Sequence, residues 1–123
     1  MAKKELIVDD EPNLVTALEF LMQQAEYQVE VARTGNEALD KVQQLVPDLV
    51  LLDIMLPDLN GYEVLQQVRR NPAWATMAII MLSAKGRDVE VAKGLALGAN
   101  AYLTKPFSIH DLLAAVRRCL EEV

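Results

Sequence analysis

Glu5-Leu6-Ile7-Val8-Asp9-Asp10-Glu11-Pro12-Asn13-Leu14-Val15 is the stretch that decides the fold. Its apolar run, Leu6-Ile7-Val8, is continuous rather than alternating, as expected of a strand covered on both faces. The run stops on two acids. A 3.6-residue pattern then begins, with Leu14, Val15, Leu18, Leu21 and Met22 on one side. This unit of strand, polar turn and helix recurs along the chain. The runs predict strands over Glu5–Val8, Val29–Ala32, Leu49–Leu52, Ala78–Leu82 and Ala101–Thr104. Helical patterns follow each of them. The second carries Ala38, Leu39, Val42 and Leu45 before Pro47, and the third Tyr62, Leu65 and Val68 before Asn71-Pro72. The fourth carries Val89, Ala92 and Ala96, with Gly98 as a left-handed cap. The fifth carries Ile109, Leu112, Leu113, Val116 and Leu120. Ser108 is its expected cap, with Asp111 as a shorter stand-in for the capping-box glutamate and Phe107 against Leu112 as a staple. Repeated βα units predict a doubly wound parallel sheet of five strands, although spacing alone does not give the strand order.

The ends of the strands carry the chemistry. Asp9 and Asp10 end the first run, Asp53 ends the third, and Lys105 follows the fifth, ahead of Pro106. In an open parallel sheet, ligands bind in the crevice beyond the carboxyl ends of the strands. Carboxylates that meet there repel one another unless a cation joins them. Magnesium suits this role, because it takes few protein oxygens and leaves positions for phosphate. Each residue also has a bland reading. Asp9 and Asp10 would cap the first helix ahead of Pro12, but one acid suffices for that. Asp53 would be a turn residue, but Asp58-Leu59-Asn60-Gly61 already supplies turn chemistry. Lys105 would be a solvated edge residue, and a serine at a strand end, such as Ser83, is usually structural. Taken together, the set favours a magnesium-dependent phosphoryl site.

Composition narrows the field. A chain of 123 residues, 52% hydrophobic, is one folded domain with a proper core. A net charge of −6 argues against nucleic-acid binding by this domain. No apolar stretch is long enough to span a bilayer, and the start Met1-Ala2-Lys3-Lys4-Glu5 is not a signal segment. The single cysteine, Cys119, fits a reducing cytoplasm and reads as a packing or surface residue. His110 has no second histidine with which to share a metal.

The chain resembles the response-regulator receiver domain of bacterial two-component signalling, of the chemotaxis-regulator kind. Asp9-Asp10, Asp53, Ser83-Ala84, Tyr102 and Lys105-Pro106 carry the resemblance. So do the segments Leu56-Pro57-Asp58-Leu59-Asn60-Gly61 and Gly98-Ala99-Asn100-Ala101-Tyr102-Leu103-Thr104-Lys105-Pro106-Phe107. It extends over nearly the whole length, so residues 1–123 are expected to form one receiver domain. The resemblance implies a flavodoxin-like (βα)5 fold with strand order 2-1-3-4-5 and a cis peptide before Pro106. It implies Asp53 as phosphoacceptor from a sensor histidine kinase or phosphotransfer protein. Magnesium would be held by Asp10, Asp53 and the Met55 main-chain carbonyl, with Asp9 nearby or acting through water. Lys105 and Ser83 would bind phosphoryl oxygens. Ser83 and Tyr102 would switch the face formed by the fourth helix, fifth strand and fifth helix. Such a domain is not a conventional enzyme. It catalyses its own phosphorylation and slow dephosphorylation, the latter tuned in the family at the positions of Met55 and Lys85.

The outputs implied are an output domain or a downstream protein, with a homodimer through the switching face as a further partner. Asn100-Ala101 stands where winged-helix members carry an acidic pair, which leaves Arg117 and Arg118 without that dimer partner. A chain ending at Val123 fits either a single-domain regulator or the receiver of a longer protein. Other readings fit less well. A haloacid-dehalogenase-like phosphatase needs Asp-x-Asp after its first strand, and the chain has Asp9-Asp10 there. A flavodoxin needs a Ser/Thr/Gly-rich loop where Asp9-Asp10-Glu11-Pro12 lies. A receiver-like interaction module without phosphorylation would not need the full acid, hydroxyl and lysine set.

Overall fold

The computed structural model describes residues 2–84 and 88–120. Five parallel strands lie in the order β2-β1-β3-β4-β5: β1 Lys4–Val8, β2 Gln28–Ala32, β3 Leu49–Asp53, β4 Ala78–Ser83 and β5 Ala101–Thr104. Between and after them run α1 Pro12–Gln24, α2 Gly35–Leu45, α3 Gly61–Arg70, α4 Asp88–Ala96 and α5 Ile109–Cys119. The expected doubly wound architecture and strand order are both present. Among the described residues, no helix is long and apolar enough to cross a membrane.

The strands bury both faces by simple alternation. Ile7, Leu49, Leu51, Ile80 and Leu82 face one side, where Leu18 and Met22 of α1 and Leu112 and Val116 of α5 cover them. Leu6, Val8, Val50, Leu52, Ile79 and Met81 face the other, under Ala38 and Val42 of α2 and Leu65 and Val68 of α3. This is why the central strands read as unbroken apolar runs. The edge strand β2 is covered less, and its Gln28 and Glu30 are exposed.

Local signals set the helix ends. Pro12 opens α1, and Asn60 caps α3 by accepting from the Glu63 amide at 3.0 Å. Ser108 caps α5, its hydroxyl accepting from the Asp111 amide at 2.9 Å. Gly98 closes the turn after α4 with φ of +108°, a conformation that costs glycine little. Asp9 and Asp10 do not cap α1, whose N-cap is Glu11 without a side-chain bond. Asp9 accepts instead from the Glu11 amide at 3.0 Å, which shapes the turn ahead of the helix. After α3 the chain makes a short 3₁₀ turn, Pro72–Trp74.

Candidate functional site

The chain reverses its winding between β1 and β3, and this switch point opens a crevice at the carboxyl ends of the strands. Val8 is opposite Leu52 in the ladder, so Asp9 and Asp53 emerge side by side. Asp9 is fully buried, Asp53 is 5% exposed and Asp10 is exposed. Each contributes one carboxylate oxygen to a group in which all three oxygens lie within 4.8 Å of one another.

Lys105 reaches this group from the far side of β4. Its amide donates to the Ser83 carbonyl at 2.7 Å, which fixes the backbone beyond β5. The Lys105–Pro106 peptide is cis, as the resemblance implies. The Lys105 ammonium lies 3.1 Å from Asp9 Oδ2 and 3.4 Å from Asp53 Oδ1. Its side chain is 22% exposed, so it is an inward-facing partner of the acids rather than a solvated edge residue. Ser83 is buried at the end of β4, one residue past the ladder partner of Asp53. Tyr102 is half-buried on β5. Lys85 lies outside the described residues.

Burial, and next the negative charge of Asp9, push the Asp53 carboxyl above its usual range; Lys105 and the Met55 amide pull the other way. Burial disfavours the Lys105 ammonium, but Asp9 and Asp53 outweigh it and hold the lysine charged above its usual range. One lysine thus contacts two of three clustered carboxylates. Hard oxygen donors in short supply of positive charge suit a divalent cation with oxygen coordination, so the crevice can hold a metal.

The loop after Asp53 is held from two sides. Gly61 donates to the Ile54 carbonyl at 2.8 Å. A Cβ there would stand 2.5 Å from the Asp53 carbonyl oxygen, so only glycine fits. Asp58 accepts from the amides of Gly35 at 2.7 Å and Asn36 at 2.9 Å, at the N-terminus of α2. Those amides, that of Asn36 foremost, hold the Asp58 carboxyl down at about 2. The sequence marked Asp58 only as turn chemistry, because its partners lie more than 20 residues away.

Further polar contacts escaped the sequence reading. Arg69 donates to the carbonyls of Gly98 at 2.9 Å and Met77 at 2.7 Å, and to Asn100 Oδ1 at 2.8 Å. The same Asn100 oxygen accepts from the Ile79 amide at 2.8 Å. Asn100 therefore works inside the molecule, bracing the turn into β5. Tyr62 joins α3 to α4 by donating to the Glu90 carboxylate at 3.2 Å. Cys119 is half-buried, and burial pushes its thiol up, which opposes a reactive thiolate.

A doubly wound sheet with an acid cluster and a lysine at its switch point defines the class. The response regulator receiver domain model matches residues 6–117, and the chain belongs to that family. It is similar over nearly its whole length to solved receivers. A putative response regulator from Chloroflexus aurantiacus J-10-fl is 35% identical, with 99% of this chain and 100% of that one covered and a TM-score of 0.94. The chemotaxis response regulator CheY4 of Vibrio cholerae is 32% identical, with 97% and 99% covered and a TM-score of 0.91. The receiver domain of a signal transduction histidine kinase from Syntrophus aciditrophicus is 30% identical, with 98% and 91% covered and a TM-score of 0.89.

Proposed function

We propose that this receiver domain is a cytoplasmic phosphorylation switch with Asp53 as phosphoacceptor. The observation that carries the reading is the Lys105 ammonium set between Asp9 and Asp53 in the acid-lined crevice. The donor is a phosphohistidine on a sensor kinase or phosphotransfer protein. An Asp53 carboxylate oxygen attacks the phosphorus, the new O–P bond forms and the N–P bond breaks. The bond's electron pair leaves on the imidazole, which takes up a proton. Two anions must approach, so the work of the site is positioning and charge neutralisation.

Lys105 serves this step by trading its Asp53 contact for a phosphoryl oxygen, while Asp9 keeps hold of its ammonium. Ser83 donates its hydroxyl to a second phosphoryl oxygen. Asp10, Asp53 and the Met55 carbonyl would hold magnesium, with Asp9 nearby or acting through water, and the ion would supply positive charge for the phosphoryl oxygens. Tyr102 then repositions, and the α4–β5–α5 face changes its affinity for an output domain or downstream protein.

Incubation with a small phosphodonor and magnesium tests the reading through the intact mass. One added phosphoryl group per chain is expected, and none in the presence of chelator. An unchanged mass in folded, magnesium-bound protein would overturn it.

A further inference from the structure

Tyr62 sits one residue past Gly61 and is 8% exposed. Because Gly61 packs directly on the backbone of Asp53 and Ile54, the start of α3 follows any movement of the phosphoacceptor loop. From that anchor the Tyr62 side chain reaches α4. Its hydroxyl lies 3.2 Å from the Glu90 carboxylate and 3.3 Å from the Glu90 carbonyl. Lys93, nearly a turn further on, places its ammonium 4.4 Å from the centre of the Tyr62 ring. Burial first, and then Tyr102 and Glu90 beside it, push the Tyr62 hydroxyl above its usual range. The Tyr102 ring in turn lies against Gly94, where a Cβ would come within 3.2 Å of it. Two tyrosines therefore hold one helix. Tyr62 grips the first turn of α4 from α3, and Tyr102 packs on its second turn from β5.

We propose that Tyr62 is a second switch residue, whose hydroxyl tethers α4 through Glu90 and couples that tether to the position of Tyr102. This rests on the reading of the chain as a phosphorylated switch. The arrangement described is the restrained one, because Lys105 is engaged by Asp9 and Asp53 and must leave Asp53 to meet a phosphoryl oxygen. Both tyrosines bear on α4, so displacement of Tyr102 from Gly94 also loosens the helix that Tyr62 holds at Glu90. Tyr62 acts as a positioning residue: it sets how easily α4 leaves its place.

The variant Tyr62→Phe keeps the ring, its packing and its Lys93 contact, and removes only the hydroxyl. Glu90→Ala, which removes the accepting carboxylate on the other side of the contact, is a second test. Amide hydrogen exchange of α4 is measured in the full chain, alongside titration with beryllofluoride and magnesium. Loss of one ordinary hydrogen bond predicts α4 exchange faster by about five-fold and half-saturation at a beryllofluoride concentration lower by about the same factor. The double variant should do no more than the stronger single one, since both remove one interaction. Unchanged α4 exchange in Tyr62→Phe would overturn the proposal, as would single effects that simply add. So would a general loss of stability with beryllofluoride affinity unaltered. The exchange measurement needs no phosphoryl group, so it fails separately from the functional reading. That reading is refuted instead by wild-type protein that is never labelled.

Discussion

Replacing Asp53 with asparagine should stabilise the fold at pH 7 in the presence of chelator, although it removes an ion pair. Asparagine keeps the shape of the side chain and discards its charge. Asp9 lies within the 4.8 Å limit of the acid cluster, so it repels Asp53 by at least roughly 3 kcal/mol at an effective dielectric constant of about 20. Lys105 at 3.4 Å attracts it by roughly 5 kcal/mol on the same scale. These contributions largely offset each other, and burial of Asp53 tips the balance against its charge. The expected gain is about 1–2 kcal/mol, or roughly 4–8 °C in melting temperature for a domain of this size. The sign of its pH dependence follows. The folded carboxyl is raised above its unfolded value of 3.8. Below that value both states are protonated, and the ionisation contributes nothing. As pH rises through the raised folded value, the native state loses stability relative to the asparagine variant. Calorimetric melts between pH 3 and 7 in chelator, about the range in which carboxylates titrate, provide the assay. Saturating magnesium should reverse the order by stabilising the wild type more. An Asp53→Asn variant less stable than the wild type at pH 7 in chelator would refute the reasoning, because Lys105 would then outweigh burial and Asp9.

Gly61→Ala should lower stability by about 2–4 kcal/mol and slow labelling of Asp53, since the new Cβ meets backbone atoms of Asp53 and Ile54 that cannot turn aside; urea melts and labelling rates check this. Asp58→Asn should flatten the acid limb of the stability profile. The lowered carboxyl contributes stability above 3.8 that disappears as pH falls towards 2, and melts across that window should show the difference from wild type shrinking. Met55 is 65% exposed two residues past Asp53 and offers no group to orient water, so Met55→Asn should shorten the phosphorylated lifetime, followed by loss of mass label over time.

The sheet was legible because its pattern is local. Runs such as Leu49-Val50-Leu51-Leu52 bury alternate residues on opposite faces, so two covered faces appear in one dimension as unbroken hydrophobicity. Asp9, Asp53 and Lys105 were legible for a related reason. Strand ends are visible in sequence, and a parallel fold brings them to one edge. Strand order came from the family resemblance, since every crossover connection looks alike in spacing. The sequence hid contacts made by side chains across elements. Asp58 at the start of α2, Arg69 on the turn into β5 and Tyr62 on Glu90 each join segments more than 20 residues apart. Tyr62 fitted the apolar stripe of α3, and nothing in that stripe announced where its hydroxyl ends.

The central claim is that Asp53 itself receives the phosphoryl group. Borohydride reduces an aspartyl phosphate to homoserine, leaving a permanent mark at the modified position. After phosphodonor and magnesium, then borohydride, peptide sequencing by mass should find homoserine at position 53 and aspartate unchanged at 9 and 10. Homoserine at position 9 or 10, or an equal yield of homoserine from the Asp53→Asn variant, would contradict the account.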